Sequence, residues 1–231
     1  MHDALAASAT QTKEKEKESG WRTAPLILAS GSPRRKALLA ELGVPFQVIV
    51  SDAPETLEPG LAPEAQAMLL AERKARAVAA TLGSGLVLGA DTIVVLDGEV
   101  LGKPADDAVA AAMLRRLNGR DHQVITGLAL VDAATGAADR RAVSSVVRFR
   151  PLSEDEIAAY VATGEPHDKA GGYAIQGLGA ALIAALEGCF SNVVGLPLCE
   201  AAAMLRDAGV SLPSTAQACR LPDSRLCPRL V

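Results

Sequence analysis

Aromatic side chains are scarce in this chain of 231 residues, which has one Trp, two Tyr and three Phe. Its core is therefore expected to be aliphatic. Long apolar runs are also lacking, and none approaches the roughly 20 residues that a membrane-spanning helix needs. Residues 1–20 contain no apolar signal-peptide region, and their acidic residues argue against a transit peptide. These absences predict a cytoplasmic globular protein.

Cysteine is confined to the last quarter of the chain, and no C-x-x-C pair occurs. The four cysteines are Cys189, Cys199, Cys219 and Cys227. This pattern favours reduced, mostly buried thiols in a cytosolic protein, and it leaves a link between Cys219 and Cys227 open.

Histidine offers little chemistry here. The three histidines, His2, His122 and His167, lack the spacing of metal ligands, and His122 is predicted to lie in a surface turn. The chain also has neither a G-x-S-x-G elbow nor a P-loop ending in Gly-Lys-Ser/Thr. Covalent catalysis by Ser or Cys is therefore not expected.

The net charge of −4 argues against a general surface for nucleic acid or anionic membranes. A phosphate site would have to come from local clusters of Arg and Lys. The length fits one domain in two lobes. We expect a disordered extension over residues 1–24, a folded domain over 25–212 and a tail over 213–231.

Apolar periodicity predicts an α/β protein with a mixed sheet and flanking helices, because hairpins interrupt the alternation of strands and helices. Strands are predicted at 26–29, 46–50, 86–90, 93–96, 99–101, 124–131, 142–149 and 181–186, and helices at 33–42, 63–82, 105–117, 154–162 and 198–207. Asp97-Gly98 indicates a hairpin, and Ser153 with Glu156 indicates a capping box.

The segment SGSPRR at 30–35 joins the first strand to a helix start. Ser32 suits the N-cap and Pro33 the first helical position. A helix start favours anions, yet Arg34 and Arg35 place two cations there. A bound polyanion would resolve that conflict, so a phosphate-rich ligand is the first hypothesis.

Asp91, in the motif GADT, is predicted to stand where an apolar strand ends, a usual place for functional side chains in α/β folds. Its carboxylate would suit cation binding or proton transfer. The alternative is an aspartate that opens a turn with Thr92, and the two interpretations are about equally supported by the residues alone.

Two lysines and an acidic loop are weaker candidates. Lys74 lies at the edge of a helix's apolar stripe, where it can enter a cleft or, more commonly, lie on the surface. Lys103 follows the hairpin in GKP. Asp52 and Glu55 offer oxygen ligands of the kind that Mg²⁺ uses, although most acidic loops simply face solvent.

A glycine-rich stretch at 168–177 carries Lys169 and Gln176. The lysine could contact phosphate, and the Gln176 amide could read a base edge because it both donates and accepts. The alternative is a tight hairpin. Recurrence of cations, acids and an amide at predicted strand ends and turns favours the functional interpretation.

These motifs resemble the Maf family of nucleoside triphosphate pyrophosphatases. The runs SGSPRR, GADT, GKP, EPHDKAGGYAIQG and NVVGLPL occur in the family's order and spacing over about 25–208. The resemblance implies a twisted mixed sheet related to the inosine triphosphate pyrophosphatases, a cleft between two lobes, a divalent metal, Mg²⁺ or Mn²⁺, and release of a nucleoside monophosphate with pyrophosphate.

The resemblance also implies residue roles. It makes Asp91 the catalytic proton acceptor and gives the metal to Glu55 and Asp91. Substrate binding falls to Ser30, Ser32, Arg35, Lys74, Lys103 and Lys169. Arg34, Thr92 and Gln176 match the dTTP/UTP branch and would select the base. Gly172, where Ala is usual, is a departure that leaves the pocket assignment intact.

The implied function is hydrolysis of dTTP and UTP as house-cleaning of nucleotide pools, with no nucleic-acid or membrane partner and a homodimer left open. One alternative is a non-catalytic nucleotide-binding regulator of cell division and septum formation. Another is an enzyme that prefers modified nucleoside triphosphates.

Overall fold

Seven strands form one mixed sheet in the computed structural model, which describes residues 25–213. The strands are β1 (Leu26–Leu28), β2 (Phe46–Val48), β3 (Leu86–Leu96), β4 (Glu99–Leu101), β5 (Asp121–Asp132), β6 (Ala138–Phe149) and β7 (Ile183–Glu187). Their order is β2-β1-β3-β5-β6-β7, with β4 paired to β3. β1 runs parallel to β2 and β3, and the other pairings are antiparallel. The α/β mixed-sheet prediction is confirmed.

The helices flank this sheet. They are α1 (Pro33–Ala40), α2 (Pro63–Ala79), α3 (Asp107–Leu117), α4 (Glu154–Val161), α5 (Phe190–Val194) and α6 (Leu198–Asp207). Three short 3-10 helices, Glu165–Asp168, Ala170–Gly172 and Gly177–Leu182, occupy the glycine-rich region. None of the helices in residues 25–213 combines the length and apolarity that a bilayer crossing requires.

β3 is open along the middle of one edge. β5 pairs with β3 over residues 86–95 on one side. β1 and β4 share the other side, where β1 pairs with residues 86–88 and β4 with residues 94–96. Residues 89–93 therefore meet no described strand on that side, and a cleft opens there.

Alternate residues of β3 face opposite layers, as in any strand. Toward one face, Leu88 and Ala90 join a core with α1 and α6, whereas Val94 and Leu96 join a core with α3 and α4. These cores belong to two lobes, which we call the α1/α6 lobe and the α3/α4 lobe. Toward the other face, β3 packs against α2.

Two glycines bring α2 against the sheet. A Cβ on Gly89 would lie 2.2 Å from the carbonyl oxygen of Ala71, and one on Gly127 would lie 2.2 Å from the backbone of Ala67. Only a residue without a side chain fits such a contact, so the helix backbone rests directly on β3 and β5.

Most of the predicted elements are present, and the predicted capping box is confirmed by the reciprocal bonds of Ser153 and Glu156. The Asp97-Gly98 turn joins β3 to β4 as predicted. Helix α5 was not predicted, and the 168–177 stretch forms 3-10 turns rather than a hairpin.

The terminal assignments and two cysteines lie largely outside the described residues. The extension at 1–24, the tail after 213, and Cys219 and Cys227 have no structural description here, so the predicted domain boundaries stay predictions. Cys189 is buried and Cys199 is half-buried, in line with the prediction of mostly buried thiols for this part of the chain.

Candidate active site

The cleft beside β3 contains a cavity of about 390 Å³, a size typical of small-molecule sites. Of the residues proposed from the sequence, Ser32, Arg34, Arg35, Glu55, Asp91, Thr92, Lys103, Lys169 and Gln176 line it. Ser30 and Lys74 are not among the lining residues, but each forms a hydrogen bond to a residue that lines the cavity. Aliphatic side chains, among them Leu57, Leu70, Val100 and Val193, complete the lining. The structure thus brings these site residues together, but Asp52, the other acid proposed with Glu55, is not among the lining residues.

Asp91 is in the middle of β3, so its predicted position at a strand end is wrong. The predicted break did not occur because residues 86–95 pair with β5 without interruption. Asp91 nevertheless borders the cavity, since the other edge of β3 is open at this point. Its neighbour Thr92 points to the opposite face of the sheet and borders the cavity from the lobes' side.

Lys74 links two carboxylates. Its Nζ donates to Asp91 Oδ1 at 2.5 Å and to Glu55 Oε1 at 2.6 Å. The lysine is 9% exposed and the aspartate 7%, so the surface alternative for Lys74 is wrong. Close contact of α2 with the sheet brings this lysine over β3.

Glu55 is shared by two lysines, because Lys103 Nζ donates to its Oε2 at 2.9 Å. The hydrogen bond from Lys74 is the main cause that lowers the pKa of Glu55 to about 2, with Lys103 adding to it. Glu55 is therefore ionised throughout the neutral range. Its side chain is about half exposed, as expected for an acidic loop, but it is also paired with two lysines.

The loop that carries Glu55 is tied to α2. Gln66 Oε1 accepts from the Glu58 backbone at 2.8 Å, and Arg73 donates to the carbonyl oxygen of Thr56 at 2.8 Å. Arg73 also pairs with the Glu58 carboxylate. These anchors were missed in the sequence. The only indication in the sequence was that Gln66 and Arg73 follow closely after the acidic loop along the chain.

At the start of α1, Ser32 caps the helix and Pro33 takes the first position, as predicted. Arg35 is held from three directions. Its Nε donates to the carbonyl oxygen of Gly195 at 2.8 Å, its Nη2 to Thr92 Oγ1 at 3.1 Å and its Nη1 to Ser30 Oγ at 3.4 Å.

Arg34 and Lys169 share a different carboxylate. Lys169 Nζ donates to Asp168 Oδ1 at 2.5 Å, and Arg34 Nη1 lies 3.9 Å from Asp168 Oδ2. Within residues 25–213, the Gln176 amide makes no hydrogen bond, and it lines the cavity. Its segment is secured by Glu165, whose carboxylate accepts from the backbones of Leu178 and Gly179.

His122 is not in a surface turn, so that prediction is wrong. It lies within β5, 3% exposed, and its Nε2 is 2.6 Å from Tyr173 Oη. The ring also meets Phe149 and Tyr173 edge to face. Burial lowers the pKa of His122 to about 4, so the imidazole is neutral at pH 7 and serves the core of the α3/α4 lobe.

A protein-only metal centre is not present in the described part of the chain, where no three His, Cys, Asp or Glu side chains group together. Glu55 and Asp91 are the two cavity carboxylates joined by Lys74. Hard oxygen donors in this number fit Mg²⁺, which commonly takes one or two carboxylates and completes its shell with water and phosphate.

Comparison of the sequence with known proteins identifies the family of this chain. Residues 25–208 match the family model described as Maf-like protein. The chain is 52% identical over 187 residues to the dTTP/UTP pyrophosphatase of Pelotomaculum thermopropionicum, covering 81% of this chain and 98% of that protein. It is 52% identical over 184 residues to the enzyme of the same name from Geobacter metallireducens, covering 80% and 96%. A third such protein, from Moorella thermoacetica, is 53% identical over 187 residues, covering 81% and 96%. The chain belongs to the Maf family.

Proposed function

We propose that this protein is a nucleoside triphosphate pyrophosphatase that hydrolyses dTTP and UTP to the monophosphate and pyrophosphate. The observation that carries the proposal is the meeting of Asp91 with Lys74, Lys103 and Arg35 at one cavity. The names of the 50–54% identical relatives supply the substrates.

The proposed chemistry begins with Asp91. Its carboxylate accepts a proton from water as the water oxygen attacks the α-phosphorus, and the bond between that phosphorus and the bridging oxygen breaks. The electron pair leaves with pyrophosphate. Asp91 suits this role because it sits at the cavity wall on a strand held along its other edge by β5, so its position is well defined.

The cations would hold the triphosphate. Arg35, Lys103, Lys74 and Lys169, with Ser30 and Ser32 at the start of α1, are the groups that we propose for this purpose. In the structure the lysines are balanced by Glu55, Asp91 and Asp168. Phosphate oxygens could replace those partners, and the cations would then neutralise the charge that develops on the leaving pyrophosphate.

Glu55 and Asp91 are the residues that we propose to hold a divalent metal, Mg²⁺ or Mn²⁺. A bound ion would supply additional positive charge to phosphate oxygens. The ionised state of Glu55 supports this role, because metal ligands of this type must be deprotonated.

Base selection is proposed for Arg34 and Gln176. Both line the cavity, and the Gln176 amide is available as donor and acceptor. Thr92, which the resemblance groups with them, already bonds Arg35 and Thr126 through its hydroxyl.

The broader role that we propose is removal of unwanted pyrimidine triphosphates in the cytoplasm, without a nucleic-acid or membrane partner. The acidic balance of the chain supports this, because it does not favour polyanionic surfaces. A homodimer is proposed as the form to test by light scattering.

The test is a panel of dTTP, UTP, CTP, GTP, ATP and modified pyrimidine triphosphates, each incubated with and without Mg²⁺. Pyrophosphate and orthophosphate are measured separately. We expect pyrophosphate from dTTP and UTP, dependent on the metal. Binding of these nucleotides without any pyrophosphate would instead support the non-catalytic regulator, and a clear preference for modified triphosphates would replace the proposed substrates.

A further inference from the structure

A line of polar groups runs from the buried core to Arg35. Arg35 Nη2 donates to Thr92 Oγ1, which lies 2.9 Å from Thr126 Oγ1. Thr126 Oγ1 in turn donates to the carbonyl oxygen of Asn192 at 3.0 Å. Thr92 and Thr126 are directly opposite in the β3–β5 ladder, so the strand register itself sets the distance between their hydroxyls.

The hydrogens in this line have only one arrangement. A carbonyl oxygen accepts only, so the single hydrogen of the Thr126 hydroxyl goes to Asn192. Thr92 must then donate its own hydrogen to Thr126, because Thr126 has none left for that contact. The Thr92 oxygen therefore presents a lone pair to Arg35 and has no hydrogen to offer a ligand.

Asn192 anchors the buried end of this line of polar groups. It is 0% exposed, and its Nδ2 donates to the carbonyl oxygen of Val124 and to Ser145 Oγ, both at 2.9 Å. Its Oδ1 accepts from the Thr126 backbone at 3.1 Å. Since a carbonyl needs a donor and a backbone N–H needs an acceptor, the amide can face only one way. The anchor is fully satisfied and holds its orientation.

These hydrogen bonds fix the orientation of the Arg35 guanidinium. The bonds to Gly195, Thr92 and Ser30 use three of the five guanidinium N–H groups, and the other two belong one each to Nη1 and Nη2. A pair of N–H groups on the two terminal nitrogens is the fork that binds two oxygens of one phosphate.

We propose that Thr92, Thr126 and Asn192 are positioning residues that align the Arg35 fork on the triphosphate. Thr92 also marks the boundary between the two lobes, since Ala90 before it and Val94 after it on the same face belong to different cores. The proposal rests on the proposed function. In this proposal Thr92 does not recognise the pyrimidine. It acts by positioning Arg35, so its effect does not depend on which base the nucleotide carries.

The central variant is Thr126→Val, which removes the hydroxyl and keeps the shape. kcat/KM is measured for dTTP, UTP and GTP. We expect a loss of about 10- to 100-fold, in line with the misalignment of a charged hydrogen-bonding group. The loss should be the same within about twofold for all three nucleotides, because Arg35 contacts phosphate. Thr126→Ser returns the hydroxyl and should recover most of the activity.

Thr92→Val is the second variant, and it should show the same base-independent loss. A change in the ratio of dTTP to GTP would instead assign base recognition to Thr92 and would overturn the proposal. The matched control is Thr81→Val, which also removes a hydroxyl that donates to a carbonyl, that of Val78 at 2.8 Å, outside the cavity lining. Its kinetics should equal those of the unaltered protein.

A coupling measurement shows whether Thr126 acts through Arg35. In an Arg35→Lys background, where the fork is absent, Thr126→Val should cost no more than about twofold. An equal cost with and without Arg35 would contradict the proposal. Thermal unfolding of each variant accompanies the kinetics, and a variant that fails to fold is replaced in the cycle by Thr92→Val.

Failure of the proposed function can be told apart from failure of this inference. If the unaltered protein releases no pyrophosphate from any nucleotide, the proposed function is wrong, and the variants are compared by calorimetric binding of inorganic tripolyphosphate. Weaker binding by Thr126→Val than by Thr81→Val would still support the alignment of Arg35. Equal binding by both would overturn it.

Discussion

Asp91 lies directly opposite Gly127 in the β3–β5 ladder. The carboxylate at the centre of the site therefore has a neighbour without a side chain, and α2 occupies the space that a side chain would fill. This is why Lys74, on α2, reaches Asp91 with both groups almost fully buried. The geometry of the ion pair depends on a contact between a helix and a sheet.

Gly127→Ala tests that contact. The added methyl group would overlap the backbone of Ala67, so α2 must move, and we expect unfolding to become easier by at least about 2 kcal/mol. Urea denaturation measures the change. Gly83→Ala is the control, because nothing lies within 4 Å of a Cβ there. Equal stability of the two variants would contradict the close contact.

Asp91→Asn tests proton acceptance. The amide keeps the size of the side chain and cannot take a proton from water, so kcat for dTTP should fall by about 10²–10⁴-fold. Steady-state release of pyrophosphate measures this. Asp97→Asn changes an exposed carboxylate in the β3–β4 turn and should leave kcat unchanged. Near-full activity of Asp91→Asn would remove Asp91 from the chemistry.

The lowered pKa of His122 predicts that the free energy of unfolding depends on pH. The unfolded imidazole gains a proton near pH 6.5, whereas the buried one does so only near 4. The stabilisation that the neutral His122 gives to the folded state is therefore complete above pH 6.5 and is lost as the pH falls toward 4. The free energy of unfolding should be lower by about 2 kcal/mol at pH 5 than at pH 7. Urea denaturation at both pH values checks this.

The matched variant for that measurement is His122→Gln, which does not titrate and can still bond Tyr173. Its free energy of unfolding should change less between pH 7 and pH 5 than that of the unaltered protein. If both proteins show the same change, the titration belongs to other groups.

Gln176→Ala tests base recognition. Loss of the amide should lower kcat/KM for dTTP and UTP by about tenfold and leave the poor substrate GTP nearly unaffected. Leu178→Ala is the control on the same segment, because Leu178 is 59% exposed and its backbone bond to Glu165 does not need its side chain. A uniform loss across all bases would exclude a base-reading role for Gln176.

Much of this architecture could be predicted from local signals. The capping box of Ser153 and Glu156 and the Asp97-Gly98 turn are set by neighbouring residues, so they could be located from the sequence. Residue type alone pointed to phosphate-binding cations, to Asp91 and to Gln176, whereas the roles of Ser30 and Thr92 came only from the resemblance to the Maf family. The structure brings these residues to one cavity or into hydrogen bonds with its lining.

Other features depend on contacts between distant segments. The break predicted at Asp91 followed from a polar pair inside an apolar run, but pairing with β5 carries the strand through. His122 beside Asp121 looked like a turn residue, yet Tyr173, 51 residues later, supplies its buried partner. Gln66 had no sequence signal. Asn192 begins the NVVGLPL run but was given no role, because both residues act through backbone groups that only the folded chain brings near.

The incomplete pairing of β3 has a consequence for how this site can change. Residues 89–93 meet no described strand on one side. The adjacent residues Asp91 and Thr92 both border one cavity there, although their side chains face opposite sides of the sheet. In the roles proposed above, a substitution of Asp91 would alter bond cleavage and one of Thr92 would alter substrate alignment. Under those roles, two neighbouring codons would control bond cleavage and substrate alignment without remodelling either lobe.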